Sequence, residues 1–107
     1  MEPPAEQPSL NAALDRLWAR FLPLTRERLS IIEAAIQSLA AGTLASEEKE
    51  AAASAAHKLA GVLGTFSLAR GTELARELEL QFTATPDSAT KLAPVAAELR
   101  SLIESRN

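Results

Sequence analysis

Apolar positions recur along the chain at steps of three and four with polar residues between them, the repeat of helices that bury one side. The first run holds Leu10, Leu14, Leu17, Trp18 and Phe21, behind Ser9, which is placed to cap a short first helix. Pro23 interrupts it. A second helix follows over about 24–41, with Leu29, Ile32, Ile36 and Leu39 in one stripe and Gly42 placed to stop it. Ser46 reads as the cap of a third helix, whose first turn holds Glu47 and Glu48 at the end of the dipole that favours acids. That helix runs to about Gly64 or Phe66. A fourth spans about 68–83 and carries Leu74, Leu78 and Phe82. The turn Ala84-Thr85-Pro86-Asp87 leads into a last helix ending near Ser105, where Pro94 predicts a kink or a late start near Thr90. Short links between one-sided helices make neighbours antiparallel. The expected fold is therefore all-α, an antiparallel up-and-down four-helix bundle with an extra short N-terminal helix. Proline-bearing residues 1–8 read as a flexible N-terminal segment, a linker remnant or a free tail, ahead of a helical domain over 9–105.

Composition sharpens this picture. Among 107 residues stand 22 Ala and 17 Leu, against only 6 Val plus Ile and no Tyr, so helix formers far outnumber strand formers. The absence of cysteine excludes disulfides, a thiolate zinc site and a thiol nucleophile. A net charge of −3 argues against a nucleic-acid partner. No apolar run approaches the roughly 18 residues of a membrane span, and the first residues do not read as a signal peptide. A soluble cytoplasmic protein is the expectation. The length supplies one core without an ATP-binding lobe, and there is no glycine-rich loop to cradle phosphates, so an autonomous enzyme is not expected.

The third helix carries the chemistry. Turning 100° per residue, Ala52, Ala55, Leu59, Val62, Leu63 and Phe66 form its buried stripe, and His57 points the opposite way. Glu50, Ala53, Ser54, Ala60, Gly61 and Gly64 share the histidine's side. A solvated stripe is normally rich in long charged residues, and a mid-helix glycine costs about 1 kcal/mol relative to alanine. Either Gly61 and Gly64 leave room for a partner at the ring, or they serve helix packing, with Gly64 ending the helix.

The run His57-Lys58-Leu59-Ala60-Gly61-Val62-Leu63-Gly64-Thr65-Phe66-Ser67-Leu68 resembles the H-x-L-[K/x]-G-x-x-x-T-[FIL]-G-[FL] signature of histidine-containing phosphotransfer (HPt) domains. Its Thr-Phe-x-Leu end is most similar to those of chemotaxis-type kinases and of relatives fused to response regulators. The likeness continues through Leu74-Ala75-Arg76-Glu77-Leu78 to Glu79, where the family carries an acid or glutamine. It implies that His57 is phosphorylated and that its partners are a response-regulator receiver domain, a histidine kinase, or both. Imidazole changes charge around neutral pH, so much of it is neutral and nucleophilic there. Glu79 is then the acceptor that orients the ring; its other reading is an ion pair with Arg76. No cofactor or metal site is implied on this chain, because the receiver supplies the aspartate and Mg²⁺.

Two positions depart from the family pattern. Many members place a lysine where this chain has Ala60, and the lysine present, Lys58, lies about 100° round the helix. It either curls toward the phosphoryl oxygens or is solvated on the flank. Ser67 replaces a glycine at the turn. The expected partner surface is the stripe around His57, rimmed by Glu50, Ser54, Ala60, Gly61 and Gly64. Arg70 beyond the turn is either a receiver contact or an ordinary surface arginine. The chain is expected to act as a monomer or as one domain of a larger hybrid protein. A docking module that binds a receiver without chemistry is the competing reading, and Ala60 is its best support.

Overall fold

The computed structural model describes residues 6–86 and 88–106, the first four of them as backbone only. Four helices account for the regular structure in these residues: α1 (Glu6–Ala41), α2 (Ser46–Thr65), α3 (Ala69–Thr83) and α4 (Ala89–Ser105). α1 packs on α2 and α4, and α3 packs on the same two helices, with no close backbone approach across either diagonal among the described residues. Arg26 reaches Glu104 and Arg100 reaches Glu33, so α1 and α4 run in opposite directions. The four-helix up-and-down bundle is as expected. No helix among the described residues is long and apolar enough to cross a membrane.

The separate short N-terminal helix is corrected. α1 is one helix of 36 residues with Pro23 inside it. A proline removes one N–H and crowds the carbonyl four residues back. Here both Pro23 and Ala19, which owns that carbonyl, are exposed, so water can take the freed acceptor. The same applies to exposed Pro94 in α4, which starts at Ala89, one residue before the expected Thr90. α1 begins at Glu6, so Ser9 is not its cap, and Pro8 falls in the first turn, whose N–H groups lack helical acceptors in any case. Of the lead-in read over 1–8, residues 1–5 lie outside the described ones. Ser46 is corrected too: the cap position is Ala45, whose carbonyl accepts the Lys49 N–H at 2.9 Å, and no side chain caps α2.

Two helix ends close by the same device. At the end of α1, the Thr43 N–H bonds the Ser38 carbonyl and the Gly42 N–H that of Leu39, with Gly42 at φ 73°. At the end of α2, the Leu68 N–H bonds the Leu63 carbonyl at 2.9 Å and the Ser67 N–H that of Gly64 at 3.1 Å. Ser67 holds φ 60° there, the left-handed conformation that glycine adopts without a Cβ penalty.

The core runs the length of the bundle through Leu29, Ile32, Leu59, Leu63, Leu74, Leu78, Phe82, Leu99 and Ile103. Burying each such side chain contributes about 1.5–3 kcal/mol. At one end, Trp18 meets Phe66 edge-on at 5.1 Å, and the Arg106 guanidinium lies 5.3 Å from the Trp18 ring. Small buried residues bring α2 and α3 close together: Ala56 and Ala60 on one, Gly71 and Ala75 on the other. A Cβ at Gly71 would stand only 3.1 Å from a Leu63 methyl. This close seam positions the site.

Candidate functional site

His57 occupies the middle of α2 on the edge facing α3. Its Nδ1 lies 2.9 Å from Oε2 of Glu79, and its side chain remains 74% exposed. A carboxylate only accepts, so Nδ1 carries a proton and donates it, and in the neutral ring Nε2 keeps its lone pair. With Nδ1 turned to α3, Nε2 faces away from the seam. Glu79 is far less exposed than the histidine, held between the helices. Glu79 accepts this hydrogen bond, and no ion pair joins it to Arg76 among the described residues. Thr83 donates its hydroxyl to the Glu79 backbone carbonyl at 2.6 Å, one turn further along α3.

An open cleft of about 460 Å³ surrounds the ring, lined by His57, Ala60 and Gly61 from α2 and by Arg76, Glu79, Leu80 and Thr83 from α3. A Cβ on Gly61 would meet nothing within 4 Å, so this glycine is no packing requirement and the space beside the imidazole is free. A Cβ on Gly64 would touch the Thr72 hydroxyl at an ordinary 3.6 Å. Gly64 lies second from the end of α2, outside the cleft.

Other expected site residues fall elsewhere. Ala60 is corrected: only 6% exposed, it floors the cleft and does not rim a partner surface, because α3 covers it and Thr72 donates its hydroxyl to its carbonyl at 3.2 Å. Lys58 and Ser54 open into a different groove, between α2 and α1, beside Leu24, Glu27, Arg28 and Ile31. Lys58 therefore sits on the flank away from the His57 cleft. Glu50 is exposed two turns before the histidine. Arg70 is engaged by Glu98 of α4 through two bonds of 2.8 and 3.0 Å, with Glu73 at 3.3 Å. That pairing holds the Arg70 guanidinium above its usual pKa and the Glu98 carboxyl below its own. No three His, Asp or Glu side chains converge among the described residues as a bound metal would need.

Arg76, Leu80 and Thr83 escaped sequence reasoning. Part of their signal was present: Arg76 and Thr83 stand three before and four after Glu79, on its face of α3, while Leu80 lies about 100° round from it. Only the close approach of α2 to α3 makes that face part of the histidine's surroundings.

Comparison with known proteins bears on this arrangement. A family model described as Hpt domain matches residues 16–106, most of the chain and all the residues of the cleft. Protein RcaC of Microchaete diplosiphon is 32% identical over 77 residues, covering 72% of this chain and 12% of that protein. The chain thus spans about an eighth of the relative's length. No solved structure gives a significant match.

Proposed function

The chain belongs to the Hpt domain family, phosphocarrier modules of two-component phosphorelays, and on that premise we propose that His57 accepts a phosphoryl group and exchanges it with the aspartate of a response-regulator receiver domain. The observation that carries this reading is the 2.9 Å hydrogen bond from Nδ1 to Glu79, which leaves an oriented nucleophilic nitrogen facing solvent. In the forward step the Nε2 lone pair forms the N–P bond as the P–O bond of the aspartyl phosphate breaks. The electron pair of that bond returns to the aspartate carboxylate. The ring then carries the phosphoryl on Nε2 and its proton on Nδ1, a cation whose charge Glu79 balances. Transfer back to a receiver reverses these steps.

Phosphoryl transfer depends mainly on in-line approach and on neutralising the equatorial oxygens. The exposed ring and the free space beside Gly61 suit such an approach. Mg²⁺ belongs, in this reading, to the receiver. The ATP-dependent histidine kinase is another polypeptide or another part of a longer hybrid protein, and the module works in the cytoplasm. Docking without chemistry is favoured by Ala60, which stands where many relatives carry a cation. An imidazole oriented by a carboxylate has no use on a face that only docks.

Incubating the full chain with phosphorylated receivers and Mg²⁺ should give an acid-labile, alkali-stable phosphoryl adduct. His57→Gln should abolish it without changing the helical circular dichroism. Equal labelling of the variant, or no transfer from any of a panel of receivers, refutes the reading. Receiver binding without transfer selects the docking module.

A further inference from the structure

A phosphoryl group on Nε2 of His57 brings about two negative charges to a face that already holds the Glu79 carboxylate, on a chain of net charge −3. Glu50, Ser54, Gly61 and Gly64, on the histidine's side of α2, offer no positive charge. Lys58 opens into the groove against α1. Among the residues lining the His57 cleft, Arg76 alone is a lysine or arginine.

The register of the seam puts it in reach. His57 faces Glu79, and seven residues on, Gly64 faces Thr72, seven residues back along α3. Ala60 and Gly61 therefore face Arg76. Ala60 fills little of the gap with its methyl, and the space at Gly61 is open. Packed helix axes lie about 8–10 Å apart and Cα atoms stand about 2.3 Å off each axis, so an arginine side chain bridges the remaining gap between backbones. Arg76 is exposed and makes no ion pair among the described residues, whereas Arg26, Arg70, Arg100 and Arg106 each hold a carboxylate. The two acids one turn away on its own face, Glu73 and Glu79, are engaged by Arg70 and by the imidazole.

We propose that Arg76 is a catalytic residue of the phosphotransfer, its guanidinium reaching across the α2/α3 seam over Ala60 to bind the oxygens of the phosphoryl group on His57. The inference rests on the phosphocarrier reading above. The guanidinium's planar fork matches two phosphoryl oxygens. It neutralises the charge that spreads over those oxygens as the P–O bond to aspartate breaks and the N–P bond forms, and it separates the phosphoryl dianion from Glu79. It neither gives nor takes a proton.

The test compares wild type, Arg76→Ala, Arg76→Gln and Arg76→Lys as full chains. Two donors are used: a phosphorylated receiver with Mg²⁺, and potassium phosphoramidate, which needs no protein partner. Lys49→Ala, by Leu39 and Gly42 at the other end of α2, controls for the loss of one positive charge. Arg76→Ala and Arg76→Gln should each be labelled about tenfold more slowly or worse by both donors, since a hydrogen bond to a charged group is lost. Arg76→Lys should fall between, and Lys49→Ala should match wild type. In ³¹P NMR titrations the phosphoryl group of the Arg76→Gln adduct should hold its last proton to a pH about half a unit higher than in wild type. Wild-type rates in Arg76→Ala, or Arg76→Gln recovering as well as Arg76→Lys, overturn the role of Arg76 while leaving the phosphocarrier reading intact. A wild-type chain that neither donor labels overturns both.

Discussion

Along α4, charge is used in pairs. Arg70 holds Glu98, Arg26 holds Glu104, Arg100 holds Glu33 and Arg106 holds Asp15, each linking α4 to a neighbouring helix. Along the seam between α2 and α3, small buried residues bring the helices together, and among the described residues the one polar link between charged-type side chains is His57 to Glu79. The first arrangement ties helices through exposed, salt-screened contacts of modest individual worth. The second needs no ion pairs for cohesion, so its titratable groups remain available to a ligand. Where a seam is held by close apolar contact, its polar residues can be arranged for chemistry.

The contrast predicts that changes on the α2/α3 seam alter transfer and those along α4 alter stability. The largest expected effect is on Glu79. Glu79→Ala should slow labelling of His57 by about tenfold to a hundredfold, through loss of ring orientation and of the charge opposing the phosphorylated imidazole. Glu79→Gln keeps an acceptor for Nδ1–H and should retain more activity. Rapid-quench labelling checks both, and equal rates in Glu79→Ala and wild type would break the comparison.

Gly61→Leu should come next, slowing transfer from a receiver by about tenfold because the side chain fills the space beside the ring. Its thermal stability should be unchanged or raised, since nothing stands within 4 Å and leucine is the better helix former. A fall in Tm with retained rates would make this glycine structural.

The smallest effect is on acid stability. Glu98 and Glu104 are held below their ordinary value of 4.5 by hydrogen bonds from Arg70 and Arg26. A carboxyl depressed in the folded state contributes stability that is complete above its unfolded value and lost as pH falls through the folded one. Tm should therefore drop between about pH 5 and 3, less steeply in high salt. Glu98→Gln with Glu104→Gln should flatten that slope without touching phosphotransfer at neutral pH. Differential scanning calorimetry across the pH range, beside the labelling assay, tests both halves.

Much of the bundle was legible because its signals are periodic. The apolar stripes of α2 and α3 and the outward direction of His57 follow from 3.6-residue geometry, and the stop at Gly42 from glycine's ease in the left-handed conformation. The proline rule misled at Pro23 because its cost depends on whether the freed carbonyl meets water, and a sequence does not state which side of a helix faces out when two runs join. Ala60 was misplaced for a related reason. Its angle on α2 is right, yet a neighbouring helix covers that edge, and covering is a property of the seam rather than of either helix. Arg76 was hidden by the same fact, since its distance along the chain from His57 says nothing about facing it across Ala60.

In the phosphocarrier reading proposed above, Glu79 holds the proton on Nδ1 of His57 and leaves Nε2 to receive the phosphoryl group. Long-range ¹H–¹⁵N correlation of ¹⁵N-labelled protein, before and after phosphorylation, tests it with one residue to assign. The expected result is a protonated Nδ1 in both states and phosphorus coupling to Nε2 alone. A proton on Nε2 in the free protein, or phosphorus on Nδ1, would contradict it.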